Sequence, residues 1–148
     1  MTVVAYTDGG SRGNPGPAGW GVHIEDDKGN PLDELCGSLG TATNHVAEYR
    51  GLLAALRWAL DHGVSALRVR SDSELLVKQM KGQYRVKNPG LQPLYREAEQ
   101  LAARIGRVVF EHVRREQNAE ADRLANKAMD EAEAGRPPLP RGQGAFEW

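Results

Sequence analysis

The chain has 148 residues, about one domain's worth, and its formal net charge of −1 excludes a global basic field. Its single cysteine, Cys36, excludes an intrachain disulfide, and no apolar run approaches the roughly 20 residues that span a bilayer. With no basic-then-apolar leader at the start, we expect one cytoplasmic, monomeric domain without membrane association.

Three strands are predicted first. Residues Val3–Asp8 form a nearly continuous apolar run that ends in a carboxylate, and a turn rich in glycine, serine, asparagine and proline follows. Alternation over residues 19–25, a polar turn over 26–30 and a weaker pattern over 32–39 predict two more strands. Short turns between close strands favour an antiparallel meander.

The hydrophobic period then becomes helical. An apolar stripe predicts a helix capped by Thr43 or Asn44 and ended by Gly63. The later predicted elements are a strand over 67–72, a short helix to Met80, a helix over 94–105, a strand over 107–113 and a helix over 116–133. The order βββαβααβα predicts an α/β fold, a mixed five-stranded sheet with helices on both faces.

Four carboxylates could meet at one edge of this sheet. Asp8 and Asp72 each end an apolar strand, and parallel neighbouring strands would bring both to the same edge. Glu48 and Asp122 lie near predicted helix starts, where the helix dipole favours acids for purely structural reasons. Each acid taken singly has such a structural interpretation, and for Asp8 it is an Asx turn. Together, four close anions would repel one another unless cations neutralised them.

Oxygen ligands of this kind suit a hard cation such as Mg²⁺. Two such ions, roughly 4 Å apart, would support hydrolysis of a phosphodiester by in-line displacement. The sequence contains no Ser-His-Asp order, zinc spacing or Walker-type loop that would favour another chemistry.

Four motifs, in this order, resemble those of type 1 ribonuclease H. They are Tyr6–Gly10 with Gly13–Pro17, then Thr43–Glu48, Ser71–Ser73 and His112–Ala125. The resemblance runs from the first strand to about Met129 and implies a ribonuclease H-like fold, with residues 1–134 as the catalytic domain and 135–148 as a Pro/Gly-rich tail.

The resemblance also implies an activity. It implies that the catalytic, metal-binding residues are Asp8, Glu48, Asp72 and Asp122, holding two Mg²⁺ ions, with Mn²⁺ as an alternative. The implied reaction is endonucleolytic cleavage of the RNA strand of RNA–DNA hybrids, leaving 5′-phosphate and 3′-hydroxyl ends.

Substrate contacts follow from the same resemblance. The implied set is Gly9, Gly10, Asn14, Thr43, Asn44, Ser73 and Glu74. Thr43 matches a DNA-phosphate contact, whereas Glu74 stands where the family has a glutamine, which puts one minor-groove hydrogen bond in doubt. His45 stands where an asparagine is common and is interpreted as a surface residue of the helix cap.

Two features that many type 1 ribonucleases H carry are missing from this sequence. Residues Gln83–Pro93 are too short for a basic protrusion, and they leave a modest cluster that either binds substrate or is simply solvated: Lys78, Lys81, Arg85 and Lys87. No histidine lies in the loop before Asp122, and His112 is assigned to the strand as a structural residue. The auxiliary candidates in that loop are Arg115, Glu116 and Asn118. Arginine cannot act as a base at neutral pH, so a role for Arg115 would be electrostatic.

Three alternatives stay open. The shortened loops fit a relaxed nuclease that also cuts double-stranded RNA or RNA–DNA junctions. A catalytically weak module could bind hybrids without cutting them, although four retained acids argue against it, because binding alone favours basic residues. An interaction domain would use the apolar residues of the tail, such as Leu139, Phe146 and Trp148.

Overall fold

Five strands form one mixed sheet in the spatial order β3-β2-β1-β4-β5. The computed structural model describes residues 2–135. Its strands are β1 (Thr2–Ser11), β2 (Gly16–Asp26), β3 (Pro31–Ala42), β4 (Ala66–Ser71) and β5 (Arg107–His112). Its helices are α1 (Asn44–Asp61), α2 (Glu74–Met80), α3 (Gln92–Ile105) and α4 (Ala119–Glu133).

The strand pairing confirms the predicted fold class. β1 pairs with β2, and β2 with β3, in antiparallel fashion, while β4 joins β1 and β5 joins β4 in parallel. The parallel additions need helical crossovers, which α1 and the α2–α3 segment supply. No helix in the described residues is long and apolar enough to cross a bilayer.

Two predicted boundaries are wrong in an informative way. β1 does not end at Asp8 but continues to Ser11, because Gly9, Gly10 and Ser11 pair with β2. The last helix does not begin at Glu116, because Arg115–Asn118 form a separate 3₁₀ turn before α4. The predicted tail lies outside the described residues, apart from Gly135.

The sheet carries helices on both faces. α1 packs on β1 and also against α3, whereas α4 packs on β1, β2 and β3. Trp20, Leu52 and Leu56 are at most 1% exposed, and each such side chain contributes about 1.5–3 kcal/mol through burial. The core therefore fixes both helices that deliver acids to the edge of the sheet.

Close approach of α4 depends on two glycines of β2. A Cβ at Gly21 would lie 2.6 Å from the Ala121 carbonyl oxygen and 2.6 Å from the Ala125 nitrogen. A Cβ at Gly19 would lie 2.5 Å from the Cβ of Ala128. Because glycine in β2 faces alanine in α4, the backbone of the helix can pack very close to the backbone of the strand.

Replacing Gly21 with alanine tests this contact. We expect Gly21→Ala to lower the free energy of unfolding by about 1–3 kcal/mol, because the new methyl group would meet helix backbone that cannot move aside. Urea denaturation measures the change. The control is Gly90→Ala, an exposed position where the new Cβ would meet only the side-chain oxygen of Asn88, at 3.2 Å. Equal losses in the two variants would contradict the close approach.

Candidate active site

Four predicted acids line one open cleft of about 1110 Å³. Asp72 directly follows β4, and Asp8 lies one residue beyond the last parallel pair, Thr7 with Ser71. Asp122 lies in the first turn of α4, as predicted, but Glu48 is the fifth residue of α1 and lies beyond its first turn. The structural interpretation of Glu48 as a helix-dipole acid is therefore wrong. We call these four residues the acidic quartet.

Burial and repulsion from neighbouring acids raise the pKa values of Asp8, Glu48 and Asp72. Burial is the main cause that raises the pKa of Asp8 to about 8, and the charge of Asp72 adds to it. The Gly9 N–H, which donates to Asp8 Oδ1 at 2.9 Å, opposes the shift. Burial also raises the pKa of Asp72, against the opposing charge of Arg115. The pKa of Glu48 is likewise raised by burial, and its contacts with Ser73 and His45 oppose the rise.

These properties fit a divalent cation. The donor set consists of carboxylate oxygens, and partial burial removes much of the water that would otherwise solvate their charges. A cation in the cleft would supply the missing opposite charge and restore ordinary ionisation. The chemistry of the quartet therefore matches that of Mg²⁺ or Mn²⁺ ligands.

A second group of potential ligands lies outside the cleft. In the described part of the chain, ligand atoms of His23, Glu34 and Glu120 lie within 4.8 Å of one another. Arg123 Nη2 donates to Glu34 at 2.8 Å and to Glu120 at 3.0 Å. An arginine already neutralises this group, so we do not assign it to a metal.

Asn14 and Asn44, two of the predicted substrate residues, are joined on the rim of the cleft. The Asn44 backbone N–H donates to Asn14 Oδ1 at 3.1 Å. Asn44 Oδ1 in turn accepts from the Ser11 N–H at 2.7 Å and from its hydroxyl at 3.1 Å. Because both amide oxygens accept bonds within the protein, the two NH₂ groups are left to donate to a ligand.

Of the remaining predicted substrate residues, some line the cleft and others lie outside it. Gly9, Gly10 and Ser73 line the cleft, but Thr43 does not; its hydroxyl accepts from the Val46 N–H at 3.3 Å and caps α1. Gly9 has a packing reason as well, because a Cβ there would lie 2.3 Å from the carbonyl of Ala47.

Glu74 and the predicted basic cluster do not line the cleft. Glu74 is exposed and pairs with Lys78 at 2.7 Å, as the i,i+4 spacing on a helix allows. Lys78 also lies 4.9 Å from the ring of Tyr84. Lys81, Arg85 and Lys87 are exposed on the connector. The five predicted residues of this group, Glu74, Lys78, Lys81, Arg85 and Lys87, therefore lie outside the cleft lining.

The loop before Asp122 brings two of its three candidates to the cleft. Arg115 and Glu116 line it, and the charge of Arg115 acts on Asp72. Asn118 is buried: its Nδ2 donates to the carbonyl oxygen of Thr7 at 3.0 Å, and a side-chain hydrogen bond with Asp72 opposes the rise in the pKa of that acid. Asn118 therefore ties the start of α4 to β1.

Sequence reasoning missed other residues that line the cleft. His45, assigned to the surface, lines it with Nδ1 3.1 Å from Glu48 Oε1. Its i,i+3 spacing to Glu48 was the available signal. His112, assigned a structural role, is exposed at the end of β5 and also lines the cleft. Arg12 and Asn126 also line the cleft, and no sequence motif pointed to either.

The chain is similar in sequence to a described protein family and to known proteins. A reverse transcriptase-like family profile matches residues 6–128. The "Ribonuclease H" of Saccharopolyspora erythraea is 34% identical, covering 88% of this chain and 92% of that protein. The "Bifunctional protein Rv2228c" of Mycobacterium tuberculosis is 50% identical over 133 residues, or 89% of this chain. The chain spans only 36% of the length of that relative.

Solved structures show the same similarity. The N-terminal RNase H domain of Rv2228c from Mycobacterium tuberculosis superposes with a TM-score of 0.89 and 47% identity, covering 91% of this chain and 98% of that one. LC11-RNase H1 in complex with RNA/DNA hybrid superposes with a TM-score of 0.84 and 45% identity, covering 88% and 99%.

The raised pKa of Asp8 gives a stability prediction. The pKa of Asp8 is about 8 in the folded protein and 3.8 as its ordinary value. Between these two pH values, Asp8 is mostly protonated in the folded chain and mostly ionised in the unfolded chain. Stability therefore falls as pH rises through this range. In chelator at pH 8, we expect Asp8→Asn to raise the free energy of unfolding by on the order of 1–2 kcal/mol, and to change it little near pH 4.

Urea denaturation at the two pH values measures this difference. The control is Asp27→Asn, in an exposed turn away from the cleft. If Asp8→Asn raised the free energy of unfolding equally at pH 4 and pH 8, the proposed repulsion at Asp8 would be contradicted.

Proposed function

This chain belongs to the type 1 ribonuclease H family, and we propose that it is a metal-dependent endoribonuclease that cleaves the RNA strand of RNA–DNA hybrids. The observation that carries the proposal is the convergence of carboxylates from β1, α1, β4 and α4 on one open cleft. A pure binding module for a polyanion would place basic residues there instead.

Asp8, Glu48, Asp72 and Asp122 would hold two Mg²⁺ ions, or Mn²⁺, which when bound supply an activated water and neutralise charge at the scissile phosphate. In-line attack by water on phosphorus breaks the bond to O3′. The products are then a 3′-hydroxyl and a 5′-phosphate. The protein's contribution is to place four ligands on rigid elements, so that little rearrangement accompanies the reaction.

Recognition of the hybrid would use donors on the rim. The amide NH₂ groups of Asn14 and Asn44 suit the acceptor atoms of a minor groove and the 2′-hydroxyl that distinguishes RNA from DNA. The backbone of Gly9 and Gly10 and the side chain of Ser73 line the same cleft. A solved relative, LC11-RNase H1, holds RNA/DNA hybrid, and 99% of that chain is covered by the superposition.

Arg115 would provide electrostatic assistance. It lines the cleft on the side of Asp72, where its charge opposes the repulsion among the acids. During cleavage, the same guanidinium would stabilise negative charge that develops on the phosphate. Arg115 would therefore assist without exchanging a proton.

Activity on double-stranded RNA, a monomeric state and a cytoplasmic location stay predictions from the sequence. So does the assignment of residues 1–134 as the catalytic domain. Some predicted substrate residues would contact the hybrid only if it extends beyond the cleft. They are Thr43, Glu74, Lys78, Lys81, Arg85 and Lys87.

A nuclease assay tests the proposal. We expect the wild-type chain to cleave the RNA strand of a labelled hybrid with Mg²⁺ or Mn²⁺ and to stop when chelator is added. Asp8→Asn keeps the shape of the side chain but removes its charge, so cleavage should fall by at least about 10²-fold. Double-stranded RNA and DNA duplex, run in parallel, measure specificity.

Asp27→Asn serves as the matched control and should cleave like the wild type, because it lies outside the cleft. Cleavage that survives chelator or Asp8→Asn would refute the metal mechanism. Tight hybrid binding without cleavage would favour a binding module, and comparable cleavage of double-stranded RNA would favour the relaxed nuclease.

Arg115 gives a separate prediction. We expect Arg115→Ala to lower kcat by about 10-fold or more while hybrid binding changes less, because the positive charge acts mainly on the transition state. Arg115→Lys should recover part of the rate. Single-turnover kinetics and a binding titration with hybrid in Ca²⁺ separate the two effects. An unchanged kcat in Arg115→Ala would exclude this role.

A further inference from the structure

The last turn of α4 carries acids where the helix itself disfavours them. Asp130 and Glu133 lie near its C-terminus, and that turn contains no basic residue. The carbonyl end of a helix is the negative end of its dipole, so a carboxylate there is unfavourable. Local helix stability therefore does not explain these residues, and a partner from elsewhere in the fold does.

That partner is Arg12, in the turn between β1 and β2. Its Nη1 donates to Asp130 Oδ1 at 2.6 Å and lies 3.1 Å from Glu133 Oε1. Its Nη2 donates to the side-chain oxygen of Asn126 at 3.2 Å and to the Asn126 carbonyl at 3.4 Å. We call this set of contacts the Arg12 clamp.

The clamp reaches the acidic quartet along one face of α4. The Nδ2 of Asn126 donates to the carbonyl oxygen of Asp122 at 2.9 Å. Asn126 and Arg12 both line the cleft beside Asp122. The turn between β1 and β2 is thus held against the helix that delivers the fourth acid.

On its other side, the same turn is held by α1. Ser11 donates twice to Asn44 Oδ1, and Asn14 Oδ1 accepts from the Asn44 N–H. Asn14 itself is exposed at the tip of the turn. The turn therefore bridges two helices that each supply an acid, and its position sets where the Asn14 amide faces the cleft.

We propose that Arg12 is a positioning residue for hybrid binding, which holds the turn over residues 11–14 against α4 so that Asn14 meets the substrate. This inference rests on the proposed function. The rival role is direct contact of Arg12 with a phosphate. Two observations favour positioning: both Nη atoms are engaged by α4, and the Arg12 side chain is only 32% exposed.

The experiment removes the clamp from either side. We expect Arg12→Met to raise KM for hybrid about fivefold and to leave kcat within about twofold, because the quartet stays in place. The isosteric pair Asp130→Asn with Glu133→Gln should give the same result, although neither residue can attract a phosphate. All three substitutions together should be no worse than either set alone. Arg12→Lys should recover part of the loss.

A matched control keeps the comparison specific. Arg68→Met breaks a partly exposed ion pair with Glu111, 2.9 Å long and outside the cleft lining, and should leave KM unchanged. If Arg12→Met fails to fold by circular dichroism, the Asp130→Asn with Glu133→Gln variant carries the test by itself.

Different failures separate the two proposals. If Arg12→Met raises KM while the acid variant lowers it or leaves it unchanged, and the dependence of log affinity on log salt falls by about one unit, Arg12 is a phosphate contact. Unchanged KM in both variants also overturns positioning. A wild-type chain that does not cleave hybrid refutes the proposed function itself.

Discussion

The site depends on where the parallel ladder between β1 and β4 stops. Its last pair is Thr7 with Ser71, so the next residue of each strand, Asp8 and Asp72, leaves the ladder at the same level. β1 continues in its antiparallel pairing with β2, which keeps the backbone of Asp8 rigid although β4 has ended. β1 thus pairs over different lengths with its two neighbours, β2 and β4. Where the shorter pairing with β4 ends, Asp8 and Asp72 follow at the same level of the sheet.

Bringing two more acids to this edge requires close packing on both faces. Gly9 lets the backbone of α1 approach β1, and Gly21 lets α4 approach β2. The resulting concentration of negative charge is costly, as the raised pKa values of Asp8, Glu48 and Asp72 show. The hydrophobic core must offset the repulsion within this partly buried cluster of acids. Electrostatic repulsion of this kind is typical of sites that bind ions.

The rim of the cleft is organised by hydrogen bonds instead of apolar packing. Asn44 joins Ser11 to Asn14, and Arg12 joins the same turn to α4. Because these bonds use the oxygen atoms of the asparagines, they orient the remaining NH₂ groups as donors. The NH₂ donors of the rim suit the acceptor atoms of a groove edge, and the acids at the centre would meet phosphates through bound cations.

Much of this could be read from local patterns. The order of the elements follows from hydrophobic periodicity and turn residues, and the quartet was predicted from acids that follow apolar runs or lie near predicted helix starts, together with the family motifs. Thr43 was one of the two predicted caps of α1 and is the residue that caps it, because cap positions depend on a few neighbouring residues. Such features are determined by interactions within a few residues along the chain.

Only the tertiary structure decided the surroundings of the quartet. The extension of β1 to Ser11 depends on pairing with β2, and the place of His45 in the cleft depends on which face of α1 meets it. Glu74 lies away from the cleft because its helix turns it toward Lys78. Arg12 meets Asp130 across 118 positions of sequence, and no local signal encodes such a contact. The sequence by itself determined the four acids of the proposed active site, whereas packing between distant elements determined which polar groups surround them.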